Sequence, residues 1–298
     1  KLGVTAGLLN TNLTGRSLQH CISVIEAKKC IFGAEVMAAV AEVHEELDLV
    51  SGADFLFVSD AAIADAACPE WALSLDDLQY AAEENNPPET GDNTIGQTAL
   101  YIYTSGTTGL PKAAVMSNRR YLMSADMSGT AGLKTKPGNR IYLCLPLYHA
   151  TGLLLGVGSS LTSGAGMFVR RKFSASAFRS DIRDNKCTHM VYIGELCRYL
   201  TNIPEETGDA SIPLHSIMGN GMRPDIWMNF KQRYGIKRVC EIYGASEGNV
   251  AFANLMNKDL TVGMTSADVV LVQYDVDQDE IIRDNEGRCI EVRKGDAG

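Results

Sequence analysis

The chain has 298 residues, 45% of them hydrophobic, enough to bury a substantial core in one large or two ordinary domains. Its net charge of -9 argues against a nucleic-acid partner, whose phosphate backbone needs a basic face, and against a polybasic membrane anchor. Eight cysteines, none in a C-x-x-C pair, are too sparse for a disulfide scaffold and read as reduced, mostly buried intracellular thiols.

Lys1-Leu2-Gly3-Val4 has no charged region leading into an apolar core, so no signal peptide is read there. Leu18, Ile22 and Ile25 sit at helical spacing between Arg16 and Lys28, with Thr14 or Gly15 near the start. Cys30-Ile31-Phe32-Gly33 reads as a short strand. Val36, Val40, Val43 and Leu47 mark one face of a helix whose other face carries Glu35, Glu42, Glu45 and Glu46. Phe55 to Val58 is the next buried strand. This alternation predicts an α/β fold with parallel sheets covered by helices.

Residues 81–98 break the pattern, because Glu83-Glu84-Asn85-Asn86-Pro87-Pro88-Glu89 cannot continue a helix. Leu100 to Tyr103 is a buried strand. Ser117 or Asn118 caps a helix through about Gly129, Lys136-Pro137-Gly138-Asn139 is a turn, and Arg140 to Leu145 is a strand. Ala150 to Val169 is the longest uncharged stretch, but half of it is Gly, Ser or Thr. A buried helix, turn and strand fit it better than a spanning helix.

Helices follow at Ser174 to Asp184, Glu195 to Asn202 and Asp225 to Tyr234, with strands at His189 to Ile193 and Val239 to Ile242. After about Val262 the pattern changes to Val269–Tyr274, Glu280-Ile281-Ile282, an Asp284–Gly287 turn and Cys289–Val292. These read as antiparallel strands, a small β portion appended to the α/β body. Asp275, Asp277, Asp279 and Glu286 mimic an EF-hand, but Glu280 stands where the sharp turn needs Gly, so a solvated hairpin is expected.

Two stretches carry chemistry. The strand ending at Tyr103 runs into Thr104-Ser105-Gly106-Thr107-Thr108-Gly109-Leu110-Pro111-Lys112. Such a loop offers unblocked backbone N–H groups, hydroxyl donors and one flexible cation, which suits the β and γ phosphates of a nucleotide triphosphate. A plain Ser/Thr/Gly surface turn is the alternative. A Walker loop is ruled out, since Gly106 and Gly109 are only three apart and Pro111 stands where that motif wants Gly. The second stretch is Glu241-Ile242-Tyr243-Gly244-Ala245-Ser246-Glu247-Gly248-Asn249 at a strand end, where ligands collect in α/β sheets. Tyr243 offers a ring face for a purine, Ser246 a hydroxyl and Glu247 a hard oxygen for Mg²⁺. An exposed turn is again the alternative. No His/Cys set has zinc spacing, and no G-x-S-x-G elbow appears.

The Thr104–Lys112 loop resembles the phosphate loop of adenylate-forming enzymes, a superfamily that includes acyl-CoA synthetases, luciferases and peptide-synthetase adenylation domains. Tyr243–Glu247 looks like that superfamily's Y-G-x-[ST]-E motif. Gly219-Asn220-Gly221-Met222-Arg223-Pro224-Asp225-Ile226-Trp227, Val191–Glu195, Tyr243–Asn249 and Tyr274–Gly287 resemble the fatty acid transport protein / very long-chain acyl-CoA synthetase family. Ser246 replaces the commoner Thr and keeps the hydroxyl.

The resemblance implies a long-chain or very long-chain fatty acyl-CoA synthetase using ATP, Mg²⁺ and CoA. It places Gly219, Asn220, Gly221 and Met222 beside the adenine, with Tyr243, followed by Gly244 and Ala245, stacked on it. Thr104, Ser105, Gly106, Thr107, Thr108, Gly109, Lys112 and Ser246 would hold phosphates, and Glu247 would bind Mg²⁺. His149 follows Leu-Pro-Leu-Tyr, where the family has a His near the carboxylate. A packed core histidine is the equal alternative. The acyl pocket is expected under Ala150–Gly166 and past Tyr192 to Glu195.

The expected organisation is a truncated α/β part over 1–92, a nucleotide- and acyl-binding core over 93–262, and the start of a β-barrel-like portion over 263–298. The ribose-binding Asp and the mobile domain with its catalytic Lys are expected beyond Gly298, so the chain reads as a fragment of the large N-terminal domain. A nucleotide- or acyl-binding module without turnover, or an enzyme adenylating another carboxylic acid, is the competing reading. The expected location is cytoplasmic, with peripheral membrane association and oligomeric state left open.

Overall fold

The computed structural model describes residues 2–63, 66–80, 85–104 and 109–293. In chain order the first elements are β1 (Ala6–Leu8), α1 (Gly15–Ser23), β2 (Cys30–Gly33), α2 (Met37–Val43), β3 (Phe55–Val58), β4 (Leu73–Ser74) and α3 (Leu75–Tyr80). Strands β2, β3 and β4 form a parallel sheet in that order. Its apolar residues pack with those of α1, α2 and the connecting segments, from Leu18 to Ala72, in one buried cluster. Helix α1 ends earlier than its apolar spacing predicts, because Glu26 adopts a left-handed φ of 49° and the amide of Ala27 turns back to the Ile22 carbonyl.

The central elements are β5 (Thr98–Thr104), β6 (Lys112–Ser117), α4 (Asn118–Asp126), β7 (Arg140–Leu143), α5 (Gly158–Ser163) and β8 (Gly166–Val169). Next come α6 (Phe178–Asp184), β9 (His189–Ile193), α7 (Gly194–Asn202), β10 (Ser216–Asn220), α8 (Pro224–Arg233), β11 (Arg238–Ala245) and β12 (Gly248–Ala253). A six-stranded sheet runs β12-β11-β10-β9-β7-β8, parallel except where β12 returns antiparallel to β11. Strands β1, β5 and β6 form a separate sheet, with β1 parallel and β6 antiparallel to β5. Parallel strands covered on both faces read as continuous apolar runs, and β9 is buried at four successive positions. Ile141, Tyr142, Met190, Val191, Ile217 and Val239 lie at the centre of the second cluster.

The parallel-sheet expectation therefore holds, but five strands escaped the sequence reading: Ala6–Leu8, Leu73–Ser74, Lys112–Ser117, Ser216–Asn220 and Gly248–Ala253. Lys112–Ser117 and Gly248–Ala253 are return arms of hairpins whose turns carry the polar motifs, so the turn chemistry masked those two strands. The helix capped by Ser117, whose hydroxyl accepts the Arg120 amide, stops being α-helical at Asp126 and continues as a π-helical turn over Met127–Leu133. A second π-helical turn, Thr151–Val157, leads into α5. Helix α6 begins at Phe178 instead of Ser174, because the Ser174 hydroxyl accepts the Ala177 amide and closes a turn first.

At the C-terminal end, β13 (Tyr274–Asp275) pairs antiparallel with β14 (Glu280–Ile281), as the appended-hairpin reading expected. The Asp275 carboxylate accepts the amides of Asp277 and Gln278, and Tyr274 donates to Asp279, so the acidic residues are used within the hairpin. All eight cysteines are free, six of them buried. Among the described residues, no helix is long and apolar enough to cross a membrane.

Candidate active site

The first motif occupies the connection of the β5–β6 hairpin. Thr104 and Lys112 are cross-strand partners, so the loop leaves and re-enters the sheet at the two residues that frame it. Ser105, Gly106, Thr107 and Thr108 lie outside the described residues. Gly109 and Lys112 are exposed at the exit of the loop. The ring Nε2 of His20, on α1, is 3.0 Å from the carbonyl oxygen of Pro111 and ties the loop's base to that helix.

The second motif occupies the tip of the β11–β12 hairpin. Tyr243 pairs with Phe252, Gly244 with Ala251 and Ala245 with Gly248, leaving Ser246 and Glu247 as a two-residue turn. Gly248 follows at a φ of 101°, which a Cβ would resist. The Tyr243 side chain is 66% exposed, so its ring face is open for stacking.

The two tips meet. Thr104 Oγ1 donates a 2.7 Å hydrogen bond to Glu247 Oε1. That bond, the residue's own amide and the nearby Arg120 hold the Glu247 carboxyl below the ordinary glutamate range, so it is ionised at neutral pH. Sequence reasoning missed Arg120. Its guanidinium donates to the Val115 carbonyl at 2.6 Å and to the Ser246 carbonyl at 2.8 Å, spanning both hairpins. Nothing in the sequence marks it beyond a cation eight residues after Lys112.

Residues Gly219–Met222 run from the last two positions of β10 into the turn beyond it, with Gly219 paired to Glu241 of β11. A methyl group on Gly219 would overlap the Tyr192 carbonyl, and one on Gly194 would overlap the Gly221 carbonyl, so these backbones pack without side chains between them. Met222 is buried, and its amide donates to Glu241 Oε1 at 3.0 Å, while the Tyr192 hydroxyl donates to Oε2. In the sequence Glu241 is only the first residue of the second motif. It is a buried carboxylate beneath the predicted adenine loop, pushed up by burial against the pull of these donors.

Asn220 Oδ1 accepts a 3.4 Å hydrogen bond from Thr151, two residues beyond His149. His149 is exposed, not a core residue, and packs its ring on Tyr148. Partial desolvation still lowers its pKa, leaving the imidazole neutral at neutral pH. In the six-stranded sheet the order reverses at β7, which β8 flanks on one side and β9 on the other. Residues from His149 to Thr151 follow β7, so they share the carboxyl end of the sheet with the β10 and β11 motifs, the usual place for a ligand.

A family model described as AMP-binding enzyme matches residues 1–292. The chain belongs to the AMP-binding enzyme family. Among the relatives of this AMP-binding chain is the medium/long-chain-fatty-acid–CoA ligase FadD6 of Mycobacterium tuberculosis, 39% identical over 298 residues, covering 100% of this chain and 47% of that protein. Long-chain fatty acid transport protein 1 of Mus musculus is 38% identical over 305 residues, again covering 100% of this chain and 46% of the relative. The chain thus spans about half the length of the curated relatives it matches.

Solved structures share the fold at lower identity. ATP-bound MatB from Rhodopseudomonas palustris superposes with a TM-score of 0.73 at 20% identity, covering 98% of this chain and 58% of that one. The anthranilate CoA ligase AuaEII with anthranoyl-AMP gives 0.75 at 16% identity, covering 96% and 53%.

For Mg²⁺ the donor set fits: an exposed, ionised carboxylate, Glu247, lies beside a hydroxyl, Thr104. No group of three or more His, Cys, Asp or Glu side chains is placed to hold a metal among the described residues. One carboxylate supplemented by substrate phosphates is the way Mg²⁺ is commonly bound.

Proposed function

We propose that the protein of which this chain forms the nucleotide-binding part is an ATP-dependent long-chain fatty acyl-CoA synthetase. The carboxylate oxygen attacks the α-phosphorus, the bond to pyrophosphate breaks, and acyl-AMP forms. The CoA thiol, losing its proton, then displaces AMP to give acyl-CoA. The observation that carries the reading is the Thr104–Glu247 contact, which unites the two motifs at one place.

Thr104, the loop 105–109 and Lys112 would bind and neutralise the β and γ phosphates, and Ser246 would add a hydroxyl. Gly219–Met222 and Tyr243 would take the adenine. Neutral His149 would donate a hydrogen bond to the acyl carboxylate and orient it. Glu247 with Thr104 would hold Mg²⁺, which supplies charge neutralisation to the leaving pyrophosphate. The fatty acid as substrate class rests on the likeness to the ligase and the transport protein named above. On this reading 1–92, 93–262 and 263–298 are an α/β part, the substrate-binding core and the start of a β-barrel-like portion.

The test is fatty-acid-dependent ATP–pyrophosphate exchange by the full-length protein in Mg²⁺. Exchange is expected, with Glu247→Ala reducing it and weakening its Mg²⁺ dependence. Exchange that ignores the acid supplied would sink the proposal.

One observation favours a second reading, activation of a shorter acid. The expected acyl pocket under Ala150–Gly166 is close-packed: Leu154 and Leu155 are buried, and a methyl on Gly156 would lie 2.7 Å from Leu143 Cδ1. A panel of acids of increasing chain length in the same exchange assay separates the two.

A further inference from the structure

We propose that Arg120 is the positioning residue of this site, a clamp that holds the Ser246–Glu247 turn against Thr104 and so presents Glu247 to the metal–nucleotide complex. The proposal rests on the reading of Glu247 as a Mg²⁺ ligand. Three observations carry it.

The first is reach. Arg120 sits in the first turn of α4, whose cap Ser117 ends β6, and its two terminal nitrogens grip carbonyls belonging to different hairpins. These are Val115 at 2.6 Å, within β6, and Ser246 at 2.8 Å, at the tip of the other hairpin. Arg120 and Ser246 are 126 positions apart in the chain.

The second is fit. The ideal Cβ position at Gly248 lies 3.0 Å from Arg120 Nη2, so a side chain there would press on the guanidinium. Glycine at 248 thus serves the turn and leaves room for the clamp.

The third is charge. Both partners are neutral carbonyls, and among the described residues Arg120 makes no ion pair. Its positive charge is therefore not spent in a direct ion pair and acts on the nearby Glu247 carboxylate through space. Planar guanidinium with fixed donors suits a two-carbonyl bridge, whereas an ammonium group concentrates its charge at one point. A residue serving stability alone would not need to bind the carbonyl next to the proposed metal ligand.

Two readouts on the full-length protein separate the clamp from the reading beneath it. Calorimetry of ATP binding across a Mg²⁺ titration measures the consequence. Arg120→Ala is expected to raise the Mg²⁺ concentration for half-maximal binding about tenfold, the order lost with one hydrogen bond from a charged group. Metal-free ATP binding is expected to change far less. Combined with Glu247→Gln, Arg120→Ala should add no further Mg²⁺ effect. Nitrogen-15 NMR of the Glu247 amide, which shares its peptide group with the Ser246 carbonyl, measures the clamp without nucleotide. Arg120→Ala should shift that resonance as the carbonyl loses its donor.

If Arg120→Ala does not fold, Arg120→Lys decides the matter, since lysine keeps the charge and lacks the fork. Wild-type Mg²⁺ dependence and an unmoved Glu247 amide resonance in the foldable variant would overturn the proposal, as would additive effects in the double variant. A protein that fails to bind ATP would refute the functional reading, and the amide resonance would still judge the clamp.

Discussion

Thr104 and Glu247, 143 residues apart in the chain, lie in direct contact, with the threonine hydroxyl donating to the glutamate carboxylate over 2.7 Å. Each occupies the end of a different hairpin, so neither can be placed without the other's sheet. The bond lowers the Glu247 pKa, and a carboxyl lowered in this way is ionised above its ordinary value and becomes protonated only as the pH falls through the lowered one. Thr104→Val is expected to raise that pKa. Mg²⁺-dependent ATP binding should then fade at a higher pH in the variant than in the wild type, as calorimetry between pH 4 and 7 would reveal.

Glu241 follows the opposite sign. Burial raises its pKa above the ordinary 4.5, so the folded protein holds the proton more tightly than the unfolded chain. The stability linked to this group is full below about 4.5 and is lost as the pH rises through the raised value. Glu241→Gln should flatten that part of the Tm profile. Glu241→Ala should cost about 2–4 kcal/mol in urea denaturation, because the Tyr192 hydroxyl and the Met222 amide lose their acceptor in a dry interior.

Gly194 opens α7 where the Gly221 backbone crosses it, and the atoms a methyl group would strike are main-chain atoms that cannot rotate aside. Gly194→Ala is expected to destabilise by about 1–3 kcal/mol, as overpacking does, and to displace Gly221–Met222. A loss of ATP affinity larger than the loss of stability explains, with both measured on the same preparation, is the expected outcome.

Away from the site, Asp209 binds two buried arginines, Arg179 at 2.6 and 3.0 Å and Arg233 at 3.0 Å. The Arg179 hydrogen bonds lead in lowering its pKa to about 2, so the stability it contributes is present above the ordinary 3.8 and is lost as the pH falls toward 2. Asp209→Ala leaves two guanidinium groups without their shared carboxylate and should cost about 3–5 kcal/mol. Urea denaturation at pH 7 checks this. ATP binding under folding conditions should be unaffected, because the cluster joins α6 and α8 and touches none of the site residues.

The sequence by itself determined the α/β alternation, most element positions and the two motifs. Apolar runs such as Phe55–Val58 and His189–Ile193 have one stable use, and hydroxyl-and-glycine loops at strand ends advertise their donors locally. Tertiary structure alone decided that Lys112–Ser117 and Gly248–Ala253 are return strands, since their partners across each turn fix them. It also decided what Arg120 and Glu241 do. A guanidinium bound to two carbonyls, or a carboxylate sunk under a loop, is defined by neighbours distant in the chain. No local spacing encodes the hydrogen bonds that give such residues their role.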